Sequence, residues 1–174
     1  MKVQIDELMN YLALLVAALV PMVIGYLWYG PLFGKTWMNS TGMTEAKMKS
    51  ANMPMIFGFS FLLALILAFA ISILCVHDNM VDGALFYATD KTMIPTPGSE
   101  EASWLAYYYE NLAPDNYNFK HGAFHGGLFG LLLFLPVIGN IALYEQKGWK
   151  YVAINVGYWV LCAVIMGGIL GAWR

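Results

Sequence analysis

The chain has 174 residues, of which 60% are hydrophobic and only 11% are charged, and its formal net charge is −2. A soluble domain carries roughly 25% charged residues, so this composition excludes a soluble enzyme, a nucleic-acid-binding protein and a disordered chain. With a mean hydropathy of +0.60, the class that is left is a small integral membrane protein whose partner is the lipid bilayer.

Four long apolar runs follow one another along the chain, and none of them contains Asp, Glu, Lys or Arg. A helix that crosses about 30 Å of hydrocarbon needs about 20 such residues, and in lipid its backbone must satisfy its own hydrogen bonds. The sequence therefore predicts an all-α fold, a polytopic transmembrane four-helix bundle that forms a single domain over residues 1–174. The runs are residues 8–29, 53–76, 122–144 and 151–173.

Aromatic and basic residues follow the first run at the membrane boundary. Trp28, Tyr29 and Trp37 have amphipathic rings of the kind that settle among lipid headgroups, and Lys35 can reach lipid phosphates. We expect these four residues to anchor the chain at the interface, and a clamp for a headgroup or another ligand is the alternative. Farther on, Thr44 predicts the N-terminus of a short interfacial helix.

The connection between the second and third runs, residues 77–120, is long and contains seven of the eleven acids. We expect it to form an extramembrane insertion. Its residues 81–89 favour a β-strand, whereas Ser99, followed by Glu100 and Glu101, predicts the start of a helix. One face of that helix would carry Trp104, Leu105, Tyr108 and Leu112.

The three histidines of the chain lie near one membrane face. His77 follows the second run, while His121 and His125 lie four residues apart, on one side of the third helix. Such a cluster can hold Zn or Cu, with Cys75 or Asp78 as a further ligand or orienting group. It can also relay protons, and the purely structural alternative is hydrogen bonding to backbone, headgroups or tyrosine. No catalytic residue and no other cofactor is predicted.

Small residues spaced four apart recur in all four runs, and they let helix backbones approach closely in lipid. This pattern predicts a tightly packed bundle. It also favours self-association or binding to another membrane protein, so the leading hypothesis is a non-enzymatic homo-oligomer or accessory subunit. In the third and fourth runs the pattern comprises Gly122, Gly126, Gly130, Gly167 and Gly171.

Two neutral polar residues, Asn140 and Asn155, lie inside the third and fourth runs. They predict either hydrogen bonds that align the helices or a ligand-binding position. In the second case they would line a polar path past His125, as in a transporter or channel for a small solute. Ion-coupled transporters commonly use carboxylates within the membrane, and the four runs contain none.

Lysine placement predicts an orientation. The two short connections contain five lysines, whereas Lys2, Lys91, Lys120 and Arg174 belong to the opposite side. Because basic residues favour the cytoplasmic side, we expect the short connections in the cytoplasm, and both termini and the long connection outside.

Residues 25–38, with the sequence GYLWYGPLFGKTWM, resemble a bacterial family, the domain of unknown function 1761. Residues 155–159 and 166–173 extend the resemblance, which covers all four predicted helices. It implies a small four-helix membrane protein of the bacterial inner (cytoplasmic) membrane, but no activity, substrate or cofactor. Residues 79–118 are longer than the connection expected for this family.

Overall fold

The computed structural model describes residues 10–89, 91 and 95–173, and every regular element within these residues is helical. The predicted all-α class is therefore confirmed. Four helices are long and apolar enough to cross a membrane, so the four predicted spans are confirmed as helices. The first is Tyr11–Leu32, which consists of α1 (Tyr11–Leu27) and the turn after it. The others are α4 (Met53–Cys75), α8 (Phe119–Tyr144) and α9 (Trp149–Ala172).

Shorter helices lie in the connections. A π-helical turn, Trp28–Leu32, continues α1, and a second one, Tyr108–Leu112, continues α6 (Glu100–Tyr107). Thr44 and Ser99 cap helices as predicted, because their hydroxyls accept from the backbone N–H groups of Lys47 and Ala102. The short helices are α2 (Gly34–Thr41), α3 (Glu45–Lys49), α5 (Asp78–Ala88), α6 (Glu100–Tyr107) and α7 (Ala113–Asn116).

The strand prediction for residues 81–89 is wrong, because these residues belong to α5 and its C-terminal cap. Val81 and Leu85 recur at helical spacing, and Leu85 is buried. Asp78 lies in the first turn of the helix, where a carboxylate is favourable. The β-propensity of valine and aromatic residues depends on packing. Here the burial of one side of α5 outweighs the local preference for a strand.

The face predicted for the helix after Ser99 is buried only in part, although the Trp104 ring stacks on that of Tyr108. Leu105 and Tyr108 are buried, whereas Trp104 and Leu112 are exposed. The π-helical turn changes the angular spacing after Tyr108, so Leu112 no longer follows the face set by α6.

The backbones of α8 and α9 are in direct contact. A Cβ atom added to Gly122 would overlap the carbonyl oxygen of Gly167, and one added to Gly126 would overlap that of Ala163. On the facing helix, a Cβ at Gly167 would overlap the carbonyl oxygen of Gly122. This close approach exists only because these positions lack side chains.

The small residues of α1 and α4 also point inward. Ala13 and Ala17 of α1 and Ala64 and Ala68 of α4 are all buried, and both helices pack against each other and against α9. Large apolar side chains cover the outer surface instead. The small-residue pattern is thus used by contacts within one chain.

Candidate metal centre

His77 occupies the turn between α4 and α5. The α4 helix ends at Cys75 because Val76 adopts an extended conformation. The backbone carbonyl of His77 then accepts from the N–H groups of Met80 and Val81, and these bonds start α5. The His77 side chain is therefore held at the end of a membrane-length helix.

The other two histidines lie in the first two turns of α8. Asn118 caps this helix, since its side-chain oxygen accepts from the N–H of His121 at 2.9 Å. His125 follows one turn later on the same side. Because Gly122 and Gly126, each next to a histidine, pack against α9, this part of α8 cannot move without breaking helix contacts.

The three imidazoles meet at one point, and we call them the histidine cluster. Nε2 of His77 lies 2.8 Å from Nε2 of His121 and 3.2 Å from Nε2 of His125. One candidate ligand atom from each residue lies within 4.8 Å of the other two. The sequence predicted that the histidines share a membrane face, and the structure places their ring nitrogens in contact.

Hydrogen bonding alone does not account for this geometry. An imidazole nitrogen carries either one N–H or one lone pair, so Nε2 of His77 can form one good hydrogen bond and not two. A cation among the nitrogens would accept a lone pair from all three. In addition, Nδ1 of His125 is buried and has no hydrogen-bond partner within the described residues.

The spacing suits a transition-metal ion. Zn–N bonds are about 2.0–2.1 Å long, which puts two nitrogens of a tetrahedral site about 3.3 Å apart. The two nitrogen–nitrogen contacts of His77, at 2.8 and 3.2 Å, are about 0.5 and 0.1 Å shorter than this value. Imidazole is a ligand for Zn, Cu, Fe and Ni, and three imidazoles leave one tetrahedral position for water or another ligand.

Asp78, next to His77, binds two tyrosines rather than joining the cluster. One carboxylate oxygen accepts from the hydroxyl of Tyr108 at 2.8 Å, and the other accepts from that of Tyr117 at 2.7 Å. Burial and, after it, the hydrogen bond to Asp78 raise the pKa of Tyr108, so its hydroxyl stays protonated and donates. We call Asp78, Tyr108 and Tyr117 the tyrosine clamp.

The clamp refines the prediction for the neighbours of His77. Asp78 and Cys75 were both candidate ligands, yet among the described residues the group with metal-binding geometry contains only the three histidines. Asp78 instead accepts hydrogen bonds from Tyr108 and Tyr117. The sequence analysis placed Tyr108 on a helix face but did not identify Tyr108 or Tyr117 as partners of Asp78, because they are 30 and 39 residues from it.

The two predicted asparagines lie in different surroundings, and their role as a ligand-binding position stays a prediction. Asn140 is exposed on α8, and at 1.5 Å per residue it lies about 22 Å along that helix from His125. Asn155 accepts from the Tyr29 hydroxyl at 3.0 Å and donates to the Tyr151 carbonyl at 2.8 Å. Its amide therefore joins α9 to the end of the first span.

The predicted interface anchors are partly engaged within the chain. The Trp28 indole N–H donates to the Ile154 carbonyl at 3.0 Å, and the Tyr29 ring contacts Trp37 with centroids 5.3 Å apart. Lys35 is exposed. Contact with headgroups thus stays a prediction, best suited to Lys35 and Trp37.

We expect Tyr29→Phe to reduce the free energy of unfolding by about 0.6 kcal/mol, because it removes one interhelical hydrogen bond in the membrane. Tyr26→Phe is the matched control, since Tyr26 lies three residues earlier and is 78% exposed. The free energy of unfolding of both variants is measured by SDS titration in mixed micelles. Equal stability of Tyr29→Phe and the parent protein would contradict a stabilising role for the contact with Asn155.

Comparison with known proteins supports the resemblance found in the sequence. Residues 12–171 match the family described as a protein of unknown function, DUF1761. This match covers all four membrane-length helices. No curated protein and no solved structure matches the chain.

Proposed function

We propose that this chain, which belongs to the DUF1761 family, is an integral membrane protein that binds a transition-metal ion at one membrane face. His77, His121 and His125 are the protein ligands. The observation that carries the proposal is the convergence of three imidazole nitrogens. Nε2 of His77 lies 2.8 Å from Nε2 of His121 and 3.2 Å from Nε2 of His125. Zn²⁺ is the ion used to test it, and Cu shares the same ligand preference.

The proposed architecture is a four-helix bundle with residues 77–120 as an extramembrane insertion. The metal centre lies where this insertion meets the bundle, since His77 begins it and His121 follows it. The orientation predicted from the lysines places the metal centre outside the cytoplasm, in the bacterial inner membrane. A metal at this position is reached from the aqueous side without crossing the hydrocarbon.

Metal binding is better supported than the two alternatives from the sequence. The small-residue faces that favoured a homo-oligomer or accessory subunit are buried within one chain. For the polar path of a transporter or channel, the described residues give no contact that joins Asn140, Asn155 and His125. Of these three features, the histidine cluster is the one whose contacts a bound ligand would explain.

The test is the metal content of the purified full chain. Protein in lipid nanodiscs is stripped with a chelator, loaded with Zn²⁺, dialysed and subjected to elemental analysis. We expect about one Zn²⁺ per chain, and Co²⁺ loading should produce the visible absorption of a tetrahedral site. The proposal would be refuted if the protein held no more zinc than nanodiscs without protein treated in the same way, and if Co²⁺ loading produced no visible absorption band.

A further inference from the structure

We propose that the tyrosine clamp is a positioning device that couples residues 100–118 to the metal centre. The inference rests on the proposed metal-binding function and adds to it a regulatory contact. Tyr108 and Tyr117 do not bind the ion. They act through Asp78, whose backbone is directly bonded to that of His77.

Connectivity is the first argument. Asp78 begins α5 immediately after His77, and Tyr117 lies two residues before α8, which carries His121 and His125. The hydrogen bond from Tyr117 to Asp78 therefore joins the two chain segments that supply all the metal ligands. It fixes the start of α5 against the start of α8, and so limits the distance between His77 and the other two histidines.

Burial and charge are the second argument. Asp78 is only 5% exposed and Tyr108 only 6%, and a buried carboxylate is stable only when donors compensate for lost water. Two hydroxyl donors at 2.8 and 2.7 Å supply that compensation. The negative charge one residue from a metal ligand also favours a cation in the histidine cluster.

Reciprocity follows from these contacts. If the intact clamp holds His77 in the geometry that binds metal, then bound metal stabilises the clamp by the same free energy. Metal occupancy would thereby be transmitted to residues 100–118, through Tyr108 in the π-helical turn and Tyr117 after α7. Loss of metal would release this segment for hydrogen exchange or for contact with a partner.

The first test is the affinity of the Tyr108→Phe/Tyr117→Phe double variant for Zn²⁺, measured in nanodiscs by competition with a chromophoric chelator. We expect Kd to rise about 10- to 100-fold, the usual effect of removing groups that orient metal ligands. The Co²⁺ absorption spectrum should shift as well, because the ligand geometry changes. The control is Tyr87→Phe/Tyr107→Phe, which alters two exposed tyrosines and should change neither quantity.

The second test is hydrogen exchange of residues 100–118 with and without Zn²⁺. Zn²⁺ should slow exchange in the parent protein, and this effect should be lost in the Phe double variant. Asp78→Asn serves if the double variant does not fold, because it keeps the shape and removes the charge. No Zn²⁺ binding by the parent protein would refute the metal centre itself. Normal binding by the parent, with unchanged Kd, spectrum and exchange in the variants, would refute only the clamp proposal.

Discussion

Replacing Gly126 by alanine should destabilise the protein by about 3 kcal/mol, the upper end of the usual cost of overpacking. The added Cβ would overlap the Ala163 carbonyl oxygen, which is part of the α9 backbone. No side-chain rotation can relieve this overlap, so α8 and α9 must move apart. Gly122→Ala meets the carbonyl of Gly167 in the same way, and we expect the double variant not to fold.

The measurement is the free energy of unfolding in mixed SDS micelles, followed by helical circular dichroism. Gly139→Ala is the matched control, because Gly139 lies on the same helix and an added Cβ there has no neighbour within 4 Å. Alanine forms helices better than glycine by up to about 1 kcal/mol, so this control should be unchanged or slightly more stable. Equal destabilisation by Gly126→Ala and Gly139→Ala would contradict the backbone contact.

The membrane-length helices were predictable because the absence of charge over 20 residues is a property of each run alone. Their exact ends depend on local capping. The run that starts at residue 122 becomes a helix from Phe119, since Asn118 caps it and Lys120 is exposed at its end. Gly122 and Gly126 were likewise recognisable as a packing face.

The sequence could not show which helix faces pack against each other. The glycine pattern is equally consistent with contacts between chains, and only the packing of α8 on α9 places it within one chain. Likewise, topology put the histidines at one membrane face, but the contacts at 2.8 and 3.2 Å depend on how α4 packs against α8. Tyr108 and Tyr117 could not be found for the same reason, because their partner is distant in the sequence.

Removing one histidine of the cluster should weaken Zn²⁺ binding about a few hundred-fold. Zn²⁺ binds to structural sites with four protein ligands with a free energy of about 10–16 kcal/mol, so each ligand contributes roughly 3 kcal/mol to binding. His121→Ala is the most informative variant, because His121 makes the shortest contact with His77. Competition with a chromophoric chelator measures the change, and Lys120→Ala, an exposed neighbour on the same helix, should leave Kd unchanged.

The same variant should have little effect on the free energy of unfolding when metal is absent. Without an ion, Nε2 of His77 can bond well to only one of its two neighbours. Loss of His121 leaves the His125 nitrogen at 3.2 Å as the partner of His77, so His121→Ala should lower the free energy of unfolding only slightly. With Zn²⁺ at 100 times the parent Kd, the parent protein should gain about 2.7 kcal/mol, and the variant should gain little. Destabilisation of the metal-free variant, with an equal Zn²⁺ effect on both proteins, would mean that the three histidines serve packing and not metal binding.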